Sequence, residues 1–297
     1  MNTTTLSLPD VLTRIRHLAS PQARHHQSAY WIEGIRNFIQ AHDANIPFDT
    51  IVLSEILLQS SLAEKLARKL HARGIPRLKL TPEQFRTISL TERASGIGAI
   101  VRQQWTPHTA PPRPGLCHLV VEHIRSPGNL GTILRTAEAT GVAGILFVGP
   151  PGSHGYAQSP FVDPFDPAVV RASMGGIFHL PLTRLSYSQL AHWSHINKIP
   201  FVALSPEAQK PWTNLPTGPL AIALGEERHG LSPQLRALCK QTVSLPMSGR
   251  ADSLNVSIAA GVLLYELVRR QTADLRPVPA SGCPRDKLRD ARSQESI

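Results

Sequence analysis

The sequence predicts an α/β protein of two units, with a parallel sheet in the larger, C-terminal unit. From Leu116 onward, short apolar runs alternate with helical patterns, which is the order expected of a parallel sheet covered by helices. Residues 1–105 mix strand-like and helical segments and predict a smaller N-terminal α/β unit. A proline-rich stretch lies between the two units.

Three segments define the N-terminal unit. The run TIVLSEILL, residues 50–58, has the apolar composition of a strand. Residues 60–74 place apolar side chains at helical spacing between a serine start and a glycine stop. Residues 96–103, GIGAIVRQ, predict a returning strand.

The break between the units runs from Thr106 to Gly115, where four prolines in ten residues forbid a regular helix and favour an extended connector. The predicted domains are therefore 1–105 and 116–272, joined by the connector 106–115. Residues 273–297 contain few large apolar side chains and predict a disordered tail.

The predicted strands of the C-terminal unit are five apolar runs, at 116–122, 144–149, 199–205, 219–225 and 242–246. The predicted helices lie at 128–140, 187–195, 232–239 and 253–270. The sequence has no GxGxxG after the first run and no GxxxxGK motif, so the common dinucleotide and nucleoside triphosphate fingerprints are missing. Their absence disfavours a dinucleotide-dependent oxidoreductase.

The charge balance points to a polyanionic partner. The 31 Lys and Arg residues outnumber the 21 Asp and Glu residues, for a net charge of +10. This excess is spread over 1–105 and 106–272 and is not concentrated in 273–297. Cations on a rigid surface suit the phosphates of a nucleic acid, although many basic proteins bind none.

Other composition features exclude several classes of protein. The three cysteines, Cys117, Cys239 and Cys283, are far apart and indicate neither a disulfide framework nor a zinc site, and no metal is predicted. No apolar stretch approaches the roughly 20 residues of a membrane span. The N-terminus lacks the basic-then-apolar order of a secretory signal, which together predicts a cytoplasmic protein.

The first of three motifs is VVEHIRSPGNLGTILRTAEATG, a strand followed by a turn and a helix. Ligand sites of open α/β sheets lie at such turns. Asn129 and Arg135 are about 240° apart around a helix and cannot share a face. If both serve one site, Asn129 acts from the turn and Arg135 from the helix body, toward a second subunit. A helix N-cap and a solvated charge are the alternatives.

The second motif, PLAIALGEERHGLS, is an apolar strand that stops at Gly225 and is followed by two carboxylates and Gly230. Glycines at a strand end let the backbone approach a ligand closely. Glu226 and Glu227 adjoin, so we expect only one of them to face inward. An ordinary exposed acidic turn is the alternative.

The third motif leads from a strand end near Leu245 into a helix that starts at Ser253-Leu254-Asn255. Helix capping accounts for Ser253 and Asn255 equally well. The helix carries an apolar stripe, which indicates a core or a subunit interface. The residues of this stripe are Val256, Ala260, Leu263 and Leu267.

The three motifs in this order resemble the SpoU (TrmH-like) branch of the SPOUT methyltransferases over residues 116–270. The resemblance rests on Asn-x-Gly with an arginine six residues after the asparagine, on Gly-x-Glu-x-x-Gly, and on Ser-Leu-Asn-Val-Ser. These are Asn129, Gly131 and Arg135; Gly225, Glu227 and Gly230; and Ser253 to Ser257. The run Arg171-Ala172-Ser173-Met174-Gly175 is also typical of the family's bacterial ribosomal-RNA enzymes.

The resemblance implies a C-terminal domain with a deep trefoil knot, S-adenosylmethionine as cofactor, and a homodimer whose active sites lie at the interface. It implies transfer of a methyl group to a ribose 2′-OH, most readily in 23S ribosomal RNA. Transfer RNA is the alternative target, and a catalytically inactive RNA-binding homologue is the alternative function. The implied cofactor-binding residues are Leu224, Gly225, Leu245, Met247, Ser253 and Leu254. The implied catalytic residues are Asn129, Arg135, Glu227, Ser253 and Asn255.

Arg135 has two possible roles under this resemblance. Its guanidinium suits a phosphate next to the target ribose. Family proposals also make it the general base, although a guanidinium is very hard to deprotonate.

The N-terminal unit resembles an L30e/L7Ae-like RNA-binding module through the run ARHHQSAYWIEGIRNF, read as an opening strand and a Glu-Gly-x-Arg turn. By this resemblance Arg24 and Arg36 bind RNA. A plain surface charge is the alternative for Arg24.

Overall fold

The structure, a computed structural model, describes residues 7–149 and 162–273. Its N-terminal unit is a four-stranded mixed sheet with strand order β1-β4-β2-β3, in which β4 runs antiparallel to both neighbours and β2 and β3 are parallel. The strands are β1 Ala29–Glu33, β2 Phe48–Leu53, β3 Arg77–Lys79 and β4 Ile97–Arg102. The helices are α1 Leu8–His17, α2 Pro21–Gln27, α3 Ile35–Asp43, α4 Ser61–Ala72 and α5 Pro82–Arg86.

The C-terminal unit is a six-stranded sheet with strand order β10-β8-β9-β5-β6-β7, and every pairing in it is parallel. The strands are β5 His118–Glu122, β6 Gly144–Gly149, β7 Leu182–Ser186, β8 Phe201–Leu204, β9 Ala221–Leu224 and β10 Cys239–Val243. The helices are α6 Pro127–Ala139, α7 Pro167–Ala172, α8 Tyr187–Asn197, α9 Pro233–Leu238 and α10 Val256–Ala273. The predicted α/β class with a parallel sheet is confirmed, and the trefoil knot stays a prediction.

Helices cover both faces of the large sheet, because its strands are apolar on both sides. Side chains of α6, α7 and α10 pack on one face, for example Ile133, Val169 and Leu263. Side chains of α8 and α9, such as Trp193 and Leu235, pack on the other.

Strand β7 was not among the predicted strands. It contains Thr183 and Arg184 between its apolar residues and pairs only with β6, at the edge of the sheet. An edge strand needs fewer apolar side chains than a central one, so its sequence lacks the continuous apolar run that marks the other strands.

The two units share one apolar core. Tyr30 and Phe38 of the N-terminal unit belong to the same buried cluster as Leu119 of β5. Tyr30 packs against Phe165 with ring centroids 4.7 Å apart and ring planes tilted by 40°. The connector begins with a backbone hydrogen bond from Thr106 to the carbonyl of Leu182. The predicted domain limits therefore do not separate two independent cores. As boundaries between functions, they stay predictions.

Helix α10 runs to Ala273, one residue into the segment predicted to be a disordered tail. The rest of that segment, 274–297, lies outside the described residues. Within the described part of the chain, no helix combines the length and apolar character needed to cross a membrane.

Candidate functional site

A cleft of about 390 Å³ lies at the carboxyl ends of β8, β9 and β10. Its walls are mainly apolar and carry a few polar groups, which is the usual composition of a small-molecule site. All six predicted cofactor-binding residues line it: Leu224, Gly225, Leu245, Met247, Ser253 and Leu254. Four of the five predicted catalytic residues line it as well, namely Asn129, Glu227, Ser253 and Asn255.

The loop after β9 folds back on itself at the rim of the cleft. The backbone of Glu226 exchanges two hydrogen bonds of 2.9 Å with the backbone of Gly230. A Cβ at Gly225 would lie 2.3 Å from the Gly230 backbone, and Gly230 has φ +67°. Both positions therefore require glycine, and together they hold Glu227 toward the start of α6.

The two adjoining carboxylates of this loop take different partners, although both line the cleft, where only one was expected to face inward. Glu226 lies 2.9 Å from Nε of Arg125 and 2.8 Å from Nδ1 of His229. Glu227 accepts hydrogen bonds from Nδ2 of Asn129 at 3.0 Å and from the backbone amides of Ser126 and Arg125, both at 3.1 Å. Glu227 is the carboxylate that organises the cleft.

These contacts keep Glu227 ionised. Partial burial raises its pKa, but the hydrogen bonds from Asn129 and the backbone amides outweigh burial and lower the pKa below its usual value. The carboxylate is therefore an acceptor only, and this fixes the direction of the hydrogen bonds around it.

That direction passes through two asparagines. Because Nδ2 of Asn129 must point at Glu227, its Oδ1 faces away and accepts from Nδ2 of Asn255 at 3.0 Å. Oδ1 of Asn255 in turn accepts from the Ser257 backbone amide at 2.9 Å and from its hydroxyl at 2.7 Å. One chain of hydrogen bonds thus joins the β9 loop to the first turns of α6 and α10.

The capping alternatives are resolved differently for the two asparagines. Ser126, and not Asn129, caps α6, accepting the Asn129 backbone amide at 3.3 Å. The Asn129 side chain therefore does not cap the helix and instead joins Glu227 to Asn255. Asn255 both caps α10 and contacts Asn129. Ser253 is exposed, lines the cleft and makes no hydrogen bond with the described residues.

Arg135 lies outside the cleft of its own chain. It projects from the body of α6, is exposed, and forms no ion pair with the described residues. Asn129 lines the cleft and Arg135 does not, as their angular separation on a helix predicts. Among residues 7–149 and 162–273, no side chain forms a hydrogen bond or ion pair with the Arg135 guanidinium.

Glu122, which the sequence analysis did not single out as functional, is a buried carboxylate at the end of β5. It accepts hydrogen bonds from the Tyr187 hydroxyl at 2.7 Å and from the amide and hydroxyl of Ser232 at 2.7 and 2.6 Å. Burial and the hydrogen bond to Glu122 raise the pKa of Tyr187 to about 12. These contacts anchor the far end of the β9 loop. A glutamate closing an apolar strand was the available signal.

The structure contradicts the predicted role of Arg24. We predicted that it binds RNA, but its side chain is only 1% exposed. Its guanidinium is paired with Asp163, with an Nε to Oδ2 distance of 2.8 Å, and donates to the carbonyls of Leu18 and Ala19. RNA could reach it only by disrupting this buried cluster. Arg36, in contrast, is exposed.

Comparison with known proteins agrees with this geometry. Residues 117–265 match the model of the SpoU rRNA Methylase family, and residues 11–99 match the MRM3-like substrate binding domain. The chain belongs to the SpoU rRNA methylase family. The resemblance noted in the sequence is thereby confirmed.

Two relatives show how far the similarity extends. An uncharacterized tRNA/rRNA methyltransferase of Synechocystis is 35% identical over 71% of this chain and 74% of its own length. A 23S rRNA uridine 2′-O-methyltransferase of Streptomyces viridochromogenes is 34% identical over 54% of this chain and 55% of its own.

A solved structure of the family covers nearly the whole molecule. The rRNA methyltransferase from Sinorhizobium meliloti, determined with S-adenosylmethionine bound, has a TM-score of 0.78 and 29% identity over 90% of this chain and 97% of that one. Both units of this SpoU protein therefore have counterparts in a single known architecture.

Proposed function

We propose that this SpoU protein transfers a methyl group from S-adenosylmethionine to a ribose 2′-OH of RNA, with 23S ribosomal RNA as the substrate. The observation that carries the proposal is the hydrogen-bonded chain of Glu227, Asn129 and Asn255 at the rim of an apolar cleft. It unites three separate sequence motifs in one site. The 23S ribosomal RNA relative supports the choice of substrate.

The cleft suits the cofactor in size and in chemistry. Its volume of about 390 Å³ falls in the range of small-molecule sites. Leu204, Leu224 and Leu245 offer apolar surface for a purine. Glu227, held ionised, adds negative charge that favours a cationic sulfonium. When bound, the cofactor supplies the electrophilic methyl group.

The residues of the chain supply positioning. We assign Asn129, Glu227 and Asn255 to orienting the rim of the cleft and the approaching ribose, with Ser253 presenting a free hydroxyl there. We assign Arg135 to binding the phosphate beside the target ribose, because a guanidinium offers a fork of donors and does not release its proton readily. Holding the hydroxyl in line with the methyl group needs no metal.

We further propose that the protein acts as a homodimer. Ile258, Val262 and Tyr265 recur along one face of α10 and are 54%, 38% and 58% exposed, with Leu254 before them at 41%. Such a stripe on a helix marks an interaction surface. Leu254 also lines the cleft, so the stripe adjoins the site. We infer that the partner's Arg135 serves this cleft, because Arg135 of the same chain does not line it.

The division of labour follows the two units. Residues 116–272 form the catalytic domain, 1–105 the substrate-binding domain, and 106–115 the connector. Because the proposed substrate is part of the ribosome, we place the protein in the cytoplasm.

The test is transfer of a radiolabelled methyl group from S-adenosylmethionine to unmodified transcripts of 23S ribosomal RNA and of transfer RNA, followed by mapping of 2′-O-methyl marks. We expect a mark at a ribose of the 23S transcript. If 2′-O-methyl marks appear only in transfer RNA, transfer RNA replaces 23S ribosomal RNA as the substrate. RNA binding without transfer to any RNA would establish the inactive homologue instead.

The dimer has its own test, the molar mass in solution measured by light scattering. Ile258→Asp places a charge in the stripe and is expected to give monomers and to abolish transfer. An unchanged dimer in the Ile258→Asp protein would rule out this face. Ile196→Asp on α8, a residue 60% exposed on the opposite side of the sheet, is the matched control and should leave the mass unchanged.

A further inference from the structure

The run Arg171 to Gly176 joins the N-terminal unit to the helix that carries Arg135. A Cβ at Gly175, where φ is +96°, would lie 2.7 Å from Cγ of Gln40 on α3. A Cβ at Gly176 would lie 3.2 Å from Cα of Arg135 on α6. The two glycines therefore form a thin wedge, with α3 on one side and α6 on the other.

We call the contact between the N-terminal unit and residues 163–179 the seam. Two arginines cross it in opposite directions. Arg36 of α3 donates its Nε to the carbonyl of Met174 at 3.1 Å. Arg171 of α7 donates its Nη1 to the carbonyl of Leu90 at 2.9 Å. Each side chain is thus held by one carbonyl of the other unit.

Both arginines keep most of their donors available. A guanidinium has five N–H donors, and each of these uses one of them within the described residues. Both side chains are exposed. One hydrogen bond already holds each guanidinium in place. Each arginine side chain would therefore lose less conformational entropy on binding a phosphate than a mobile side chain would.

Further side-chain contacts hold the two sides of the seam together. The buried pair of Arg24 and Asp163 spans it, and Nε2 of His179 lies 2.8 Å from Oε1 of Gln40. The spacing between Arg36, Arg171 and Arg135 is therefore set by packing. The acidic neighbours on this surface include Glu138, whose Cβ packs near Gly176, and Glu33, which accepts the Leu90 amide at 2.7 Å and lines a small pocket with Arg171.

We propose that Arg36, Arg171 and Arg135 form one phosphate-binding track across the seam, with Arg171 as a contact from the C-terminal unit that continues the track beyond Arg36 of the N-terminal unit. The proposal rests on the proposed function for the identity of the polyanion as RNA. The two units then act as one RNA-binding surface, and the wedge sets its register.

The test distinguishes a phosphate-binding role of Arg171 from a purely structural role as a hydrogen-bond donor to Leu90. Arg171→Gln keeps an N–H donor for the Leu90 carbonyl but loses the charge and the fork. Arg236→Gln, an exposed arginine of α9 on the other face of the sheet, is the matched control. Arg171→Lys keeps the charge. The measurement is the affinity for unmodified 23S ribosomal RNA transcript over a series of KCl concentrations.

We expect Arg171→Gln to make the negative slope of log K against log salt shallower by roughly 0.7 to 0.9, the change for one lost phosphate contact. Arg36→Gln combined with Arg171→Gln should make it shallower by about twice that. Arg171→Lys and Arg236→Gln should keep the wild-type slope. Affinity for S-adenosylmethionine and the melting temperature should not change in any of them.

A slope for Arg171→Gln equal to that of Arg236→Gln overturns the track, as does a lowered melting temperature with an unchanged slope. Methyl transfer by the wild type is measured separately. If the wild type transfers no methyl group but the slopes change as expected, the enzymatic function fails and the track stands. Transfer with unchanged slopes removes the track alone.

Discussion

In the cleft, Asn129, Glu227 and Asn255 satisfy one another, whereas at the seam Arg36 and Arg171 leave most of their donors exposed. The cleft depends on the direction of hydrogen bonds between close neighbours. The seam depends on charge and on one buried ion pair. Changes that preserve shape but alter hydrogen bonding should therefore damage the cleft, and changes of charge should damage the seam.

The largest effect is expected from breaking the seam at Arg24. Arg24→Ala leaves Asp163 buried without its partner and should lower the free energy of unfolding by roughly 3 to 5 kcal/mol, measured by urea denaturation. Burial raises the pKa of Asp163 and Arg24 opposes that rise. In the variant the carboxyl therefore protonates more readily on folding, so its stability deficit should shrink as the pH falls. A deficit independent of pH would contradict this origin.

The next effect isolates Arg135. Arg135→Ala should lower methyl transfer by on the order of 10²- to 10³-fold, the usual loss when one charged contact to the reacting region is removed. Calorimetric affinity for S-adenosylmethionine should be retained, since Arg135 does not line the cleft. Loss of cofactor binding would contradict the assignment of Arg135 to the RNA, because it would mean that Arg135 contributes to the cofactor site. Arg236→Ala serves as the control.

Reversing one hydrogen bond in the cleft should have a smaller effect that depends on pH. Asn129→Asp places a second carboxylate against Glu227, and transfer should fall by up to about 10²-fold at neutral pH. Activity should recover in part at lower pH, where the pair shares a proton.

In the wild type the pKa of Glu227 is lowered, so its contribution to stability is present above the usual glutamate pKa and is lost only as the pH falls through that lowered value. Wild-type transfer should accordingly show no such gain on acidification. A gain of the same size in the wild type would contradict the assigned network.

The smallest effect is expected at the wedge. Gly175→Ala forces a positive φ on alanine and crowds Gln40, which should cost about 1 to 2 kcal/mol of stability. It should also raise KM for RNA more than it lowers kcat. Gly249→Ala, where a Cβ meets nothing within 4 Å, is the control and should change stability by less than about 0.5 kcal/mol. Equal stabilities of the two variants would refute the wedge.

Much of the cleft could be predicted from the sequence because each motif is local. The order of Gly225, Glu227 and Gly230 is sufficient to predict a tight loop at a strand end. Leu204 and Pro206, which also line the cleft, could not be predicted, since they join it only because β8 lies between β9 and β10. Strand order is a property of the folded sheet and leaves no mark in a single strand.

The failure at Arg24 has the same cause on a longer scale. The prediction for Arg24 rests on the resemblance of the run ARHHQSAYWIEGIRNF to an RNA-binding module. The residue that neutralises it, Asp163, is 139 positions away. The exposed face of α10 was also missed, because Ile258, Val262 and Tyr265 lie on a helix that is apolar almost all round, and only packing separates its buried side from its free one.

The shared core of the two units has a consequence for how the molecule unfolds. Tyr30 and Phe38 lie in one buried cluster with Leu119, and Tyr30 packs against Phe165, so neither unit can lose its structure without exposing apolar surface of the other. We expect a single cooperative melting transition. Cutting the chain at the proline-rich connector should then yield two fragments that expose apolar surface and aggregate, and not two independently folded domains.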